Sequence, residues 1–138
     1  MDNSDFARYG PEIKIYFDGG CSPNPGRMSS CIVICRDNEK PQALTMKDLG
    51  QGTNNVAEWS ALIWAVIWAK DNGVQKAVIF GDSQLVINQA SGLWKINNQL
   101  LIDLFKKFKE VSQGLDLEFC HVSRNSNLAG IFLETGSL

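Results

Sequence analysis

The chain has 138 residues, enough for one domain with a single sizeable core. Its 44% hydrophobic and 20% charged residues are those of a globular protein, which excludes wholesale disorder and fibrous repeats. Lys and Arg number 13 against 15 Asp and Glu, a net charge of -2, which argues against nucleic-acid binding by bulk positive charge. Any nucleic-acid substrate would need local groups or metal ions to offset its phosphates.

Residues 1–10 show no periodicity and read as a flexible N-terminal arm; 11–138 read as a single domain. The run EIKIYFD alternates, with Ile13, Ile15 and Phe17 on one face and Lys14, Tyr16 and Asp18 on the other, which predicts a strand. It runs into Gly19-Gly20 and then Cys-Ser-Pro-Asn-Pro-Gly, read as turn chemistry. Ser30 to Cys35 is a second strand, Arg36 to Glu39 a turn and Gln42 to Leu49 a weaker third strand, together an antiparallel meander. Thr53-Asn54-Asn55 then offers helix caps for Val56 to Lys70, which ends at Asn72-Gly73. This helix is apolar nearly all round, so it is predicted to be central or covered. Its Trp59, Trp64 and Trp68 read as core packing.

Gln75 to Phe80 is a buried-type strand, and Asp82-Ser83 caps a short helix through Ala90. A further helix spans Asn97 to Ser112 and carries the basic patch Lys106, Lys107 and Lys109. Leu115 to Val122 alternates as a last strand, and Asn127 to Glu134 reads as a short terminal helix. The single histidine, His121, alternates with Leu117 and Phe119 and reads as structural. The order β-β-β-α-β-α-α-β-α predicts parallel strands beside the meander, hence a mixed sheet with helices on both faces. The longest apolar run, Ala61 to Ala69, is too short to span a bilayer, so no membrane partner is expected. No basic-then-apolar leader opens the chain, and Cys21, Cys31, Cys35 and Cys120 form no C-x-x-C pair. The expectation is a cytoplasmic monomer whose cysteines are reduced.

Two acids occupy equivalent places. Asp18 ends the first strand and Asp82 follows the fourth. If those strands are parallel neighbours, both acids meet at the strand ends where ligands of open α/β sheets gather. Glu58, in the first turn of the long helix, would make a third. Singly, each has a structural alternative: a turn acid at Asp18, a helix cap at Asp82, a helix-dipole partner at Glu58. Jointly they form a mutually repelling cluster that calls for cations, and hard oxygen ligands suit magnesium or manganese. Two such ions can activate a water and stabilise the leaving oxygen of a phosphodiester.

The motifs carrying these acids resemble those of the type 1 ribonuclease H family. Tyr16-Phe17-Asp18-Gly19-Gly20 followed by Asn24-Pro25-Gly26 looks like its first motif, Thr53 to Glu58 its second and Gly81 to Val86 its third. His121-Val122-Ser123-Arg124 followed by Asn127 looks like the lead-in to its fourth. The resemblance runs from about residue 12 to 134. It implies a ribonuclease H-like α/β fold: a five-stranded mixed sheet, three strands antiparallel and two parallel, flanked by helices. It implies an endoribonuclease that cleaves the RNA strand of RNA/DNA hybrids with two Mg²⁺ or Mn²⁺ ions. Asp18 would bridge both metals, Glu58 would hold one and contact a 2′-hydroxyl, and Asp82 would hold the metal beside the attacking water. Gly19, Gly20 and Cys21 would approach the RNA riboses through their backbone. Asn24, Thr53, Asn54 and Asn55 would grip the minor groove and a DNA phosphate, and Gln84 a base or sugar edge.

The fourth motif departs from the family, which has Ala-Asp after the Arg and Asn; here Ala129-Gly130 arrives one residue early and the acid is missing. In the family that acid ligates the second metal, so this metal is expected to bind more weakly, with manganese favoured over magnesium. Asn127, with a neutral oxygen, or Glu134, one turn beyond Gly130, would have to stand in. Arg124, in the position of archaeal-like relatives, would contact phosphate. The basic protrusion of some bacterial members is absent, since Trp94-Lys95 leads directly into the Asn97 helix. Two alternatives remain at this point: a hybrid-binding module that has lost cleavage with its fourth acid, and a nuclease acting on double-stranded RNA.

Overall fold

The computed structural model describes residues 13–138, so the expected N-terminal arm lies outside the described residues. Strands β1 (Ile13–Cys21), β2 (Gly26–Cys35), β3 (Gln42–Met46) and β4 (Gln51–Gly52) come first. Helix α1 (Asn54–Asp71), strand β5 (Lys76–Gly81), helices α2 (Gln84–Ala90) and α3 (Gln99–Val111), strand β6 (Asp116–His121) and helix α4 (Leu128–Thr135) follow, with a 3₁₀ turn over Arg124–Ser126. The sheet order is β3-β2-β1-β5-β6, with β4 on β2. β1, β2 and β3 are antiparallel, while β1 pairs parallel with β5 and β5 with β6. This is the expected mixed sheet, extended by the two-residue β4.

The alternation in β1 decides which layer each side chain enters. Ile15 and Phe17 are fully buried in the larger core with α1, α2 and α3. Tyr16, Cys31, Val33 and Cys35 face the other side, where Ala129 and Phe132 of α4 cover them. Helix α1 buries nine of its 18 residues, spread over every turn from Ala57 to Ala69, as a central helix requires. Trp59 is fully buried against the edges of Phe105 and Phe108, and its indole N–H donates to Gln89 Oε1 at 3.0 Å. Trp64 and Trp68 are half-buried and pack on the same core.

Three boundaries differ from the sequence expectation, each through long-range pairing. Gly19-Gly20 is not a turn: β1 continues to Cys21 because Gly19 and Gly20 pair with Ser30 and Ser29. β2 correspondingly begins at Gly26. β3 stops at Met46, since Asp48 takes a left-handed φ of 60° and turns the chain back. Leu49 N then donates to Met28 O and Met28 N to Gly50 O, and β4 closes on Gly26 and Arg27.

Gly19 allows β1 and α1 to touch. A Cβ there would overlap the Ala57 carbonyl and lie 2.7 Å from Glu58 N. Ser30 Oγ donates to the same carbonyl at 3.2 Å, pinning the first turn of α1 to β2. Gly19→Ala is therefore expected to push α1 off the sheet, costing about 2–3 kcal/mol as overpacking does. Urea denaturation reads this directly; an unchanged midpoint would show that the approach is slack.

Candidate active site

The parallel register of β1 and β5 runs from Ile13↔Ala77 to Tyr16↔Phe80. Continued by two residues, it sets Asp18 alongside Asp82. Glu58 enters from the first turns of α1, brought in by the contact at Gly19. Ligand oxygens of Asp18, Glu58 and Asp82 lie within 4.8 Å of one another. They line a cleft of about 390 Å³ together with Gly20, Cys21, Asn54, Arg124, Gly130 and Glu134.

The capping alternatives for these acids fall away. Ser83 Oγ caps α2 by accepting from Val86 N, and Thr53 Oγ1 caps α1 by accepting from Val56 N. Asp82 and Glu58 are thus left to the cleft. Glu58 is only 7% exposed, and its Oε2 has no hydrogen-bond partner. Burial, the charge of Asp18 and a hydrogen bond shared with it push the Glu58 carboxyl up to about 10. Asp18 is also raised, chiefly by burial, with Asp82 adding to the effect and Glu58 and Arg124 opposing it. An orphaned buried carboxylate oxygen among crowded acids lacks a cation, and an all-oxygen donor set suits a hard divalent ion. The residues present fit such an ion.

Asn127 is fully buried, and both N–H donors of its amide are engaged. Nδ2 donates to Phe17 O and to Asp82 Oδ2, both at 3.0 Å, and Oδ1 accepts from Ala129 N at 3.2 Å as the cap of α4. The oxygen expected as a neutral ligand thus already accepts one bond at the start of the helix, and the amide holds the Asp82 carboxylate in place. Asn127→Ala is expected to cost about 2–4 kcal/mol, since it removes a cap and leaves Phe17 O and Asp82 short of donors. Chemical denaturation measures it; a loss under 1 kcal/mol would mean that water replaces the amide.

The remaining predicted residues divide into groups. Gly20, Cys21, Asn54 and Arg124 line the acidic cleft. Asn24, Thr53, Asn54 and Asn55 line an adjoining groove with Asn98 and Leu100, Asn54 belonging to both. Gln84 is exposed at the start of α2, apart from both sets of lining residues. Asn54 Oδ1 accepts from Cys21 N at 3.0 Å, and Asn24 Oδ1 accepts from Asn54 N at 3.1 Å. The Cys21 N–H expected to face ribose is thus taken up internally. Both asparagines are exposed, and among the described residues nothing pairs with the Nδ2 group of either.

Ser30 and His121 also shape the site, and nothing in the local sequence marks Ser30. Ser30 acts through the Ala57 carbonyl, and the His121 Nε2 lies 3.1 Å from Asp82 O. The histidine joins β6 to the backbone carrying Asp82, in keeping with its expected structural role.

Residues 16–132 match the family described as reverse transcriptase-like. A protein of Halobacterium salinarum named Ribonuclease HI is 34% identical over 119 residues, which are 86% of this chain and 60% of that protein. The structure of RNase H1 from that archaeon superposes with a TM-score of 0.75 at 33% identity, covering 86% of this chain and 90% of that one. LC11-RNase H1, solved in complex with an RNA/DNA hybrid, gives a TM-score of 0.77 at 29% identity over 84% of this chain and 88% of that one. With the family match spanning most of its length and these neighbours sharing its sheet and helices, the chain belongs to the reverse transcriptase-like family, among the type 1 ribonucleases H.

Proposed function

We propose that this protein is a metal-dependent endoribonuclease that hydrolyses the RNA strand of RNA/DNA hybrids. The observation that carries the reading is the convergence of Asp18, Glu58 and Asp82 from three separate elements, with Glu58 Oε2 buried and unpartnered. A fold has no need of three mutually repelling acids at one place; a phosphoryl-transfer site does. The chain spans 60% of its ribonuclease HI relative, and the reading concerns the domain described here.

Asp18, Glu58 and Asp82 would hold Mg²⁺ or Mn²⁺, which when bound supplies charge to the scissile phosphate and a nucleophilic water at neutral pH. The protein's own groups do the rest. Asn127 fixes the Asp82 carboxylate, and the contact at Gly19 fixes Glu58. Arg124, which lines the same cleft, would face the anionic substrate. The Nδ2 donors of the exposed Asn24 and Asn54 match the acceptor edges of a minor groove. Selection of a hybrid follows if one strand must offer 2′-hydroxyls at the cleft and the other must run along the neighbouring groove. With a net charge of -2, binding should rest on few phosphate contacts and be correspondingly modest. The working form would be a cytoplasmic monomer.

One observation favours a second reading. Position 130 carries no acid, so the domain would bind hybrids without cutting them. Cleavage of a labelled hybrid in Mg²⁺ and separately in Mn²⁺, with Asp18→Asn as control and duplex RNA alongside, separates the readings. RNA-strand cuts that vanish in Asp18→Asn establish the nuclease. Binding without cleavage in either metal establishes the binding module.

A further inference from the structure

The wall of the cleft facing Asp18 and Asp82 is the first turn of α4. A Cβ built on Gly130 would lie 3.3 Å from Asp18 Oδ2 and 3.6 Å from Asp82 Oδ2. With glycine there, this wall is bare backbone beside two carboxylates. Glu134 lies four residues on, hence on the same helix face about 6 Å further along the axis. It lines the same cleft. Helical Cα–Cβ bonds tilt toward the N-terminus, so a long side chain covers the turn preceding its own Cα. For Glu134 that turn is the one opened by Gly130. Glu134 is exposed, and among the described residues no ion pair engages it.

Two further facts bear on what this carboxylate does. Asn127, the other oxygen donor the sequence offers, is fully buried, and its Oδ1 accepts from Ala129 N. The unpartnered Glu58 Oε2 independently marks the cleft as short of positive charge. Three carboxylates also leave two divalent cations with a residual positive charge, which a fourth would neutralise.

We propose that Glu134 is the fourth carboxylate of this site, reaching over Gly130 to ligate the second divalent cation from the α4 side. The inference rests on the metal-dependent reading above and adds a residue to it. A carboxylate on a long rotatable stem holds its place less rigidly than a short one packed into the wall. The second cation therefore binds more weakly, and a metal demanding near-ideal octahedral geometry, as magnesium does, suffers more than manganese.

The test is Mn²⁺ titration of the free protein, following unbound Mn²⁺ by electron paramagnetic resonance alongside calorimetry, in wild type, Glu134→Gln and Asp18→Asn. The expected result is two binding events in wild type. In Glu134→Gln the tighter event is unchanged and the weaker one falls about tenfold, within the range typical of lost supporting ligands. In hybrid cleavage, the Mn²⁺ concentration for half-maximal rate should rise by a similar factor while KM for the hybrid holds. A Glu134→Gln titration that coincides with wild type, a single event in wild type, or equal weakening of both events would overturn the proposal. The titration needs no substrate, so it separates the two failures. Two events with the Glu134→Gln effect but no cleavage leave Glu134 as a ligand and refute the nuclease. Cleavage with an unaltered Glu134→Gln titration refutes Glu134 alone.

Discussion

Asp18→Asn is expected to abolish RNA-strand cleavage, by on the order of 10³-fold or more, while making the metal-free protein more stable. Both effects come from one cause. Asp18 shares the cluster with Glu58 and Asp82, and its carboxyl is already raised, chiefly by burial and further by Asp82. Replacing it with a neutral isostere removes a buried charge, its repulsion with Asp82 and one ligand of the cation. Thermal denaturation in chelator should show a rise equivalent to about 1–2 kcal/mol, the scale at which function-constrained positions commonly yield stability. Loss of activity with lowered stability would instead mean that Asp18 is mainly structural. Undiminished cleavage would dismiss the carboxylate cluster as the catalytic centre.

The second large effect is the response of the metal-free protein to pH. Glu58 is pushed from the ordinary 4.5 to about 10, first by burial and then by Asp18. Between those values the folded protein keeps a proton that the unfolded chain releases. Raising pH therefore favours unfolding. The stability associated with Glu58 is fully present below the unfolded value and is lost as pH climbs toward the folded one. For one proton the slope is at most about 1.4 kcal/mol per pH unit. Glu58→Gln should flatten the profile. So should saturating divalent cation, since the ion takes the proton's place. Calorimetry of metal binding near pH 7 in buffers of different ionisation enthalpy should accordingly find close to one proton released. Stability that rises from pH 6 to 9 in chelator, or metal binding without proton release, would show that Glu58 is ionised before the metal arrives.

Much of the fold was legible because its signals are local. Ile13, Ile15 and Phe17 alternate with Lys14, Tyr16 and Asp18, and that parity alone assigns Asp18 to the face opposite the main core. The caps were legible too. Thr53 and Ser83 each accept from the backbone N–H three residues on, which is what side-chain oxygens before apolar runs do. The breadth of the apolar surface on Val56 to Lys70 was enough to make that helix central. Errors fell where a local signal met a partner distant in sequence. Gly19-Gly20 reads as a turn until Ser29 and Ser30 supply a ladder, and Gln42 to Leu49 reads as one strand until Asp48 turns the chain.

The site divides in the same way. Taken alone, the sequence determined which acids are available, on which elements and near which ends, because composition and spacing carry that information. The tertiary structure decided what those acids do. Asp18 meets Asp82 through a parallel register between strands more than 60 residues apart. Glu58 joins them because Gly19 lacks a Cβ that would strike the Ala57 carbonyl. Asn127 and Glu134 were both claimants for the missing ligand in the sequence, with Asn127 placed first. They separate only when the Asn127 oxygen is seen committed to the start of α4, while Glu134 lines the cleft beside Gly130. Periodicity and capping act within a few residues of the chain. A ligand set depends on which distant groups share a cleft and which of their atoms are already bonded, and only the packed fold settles that.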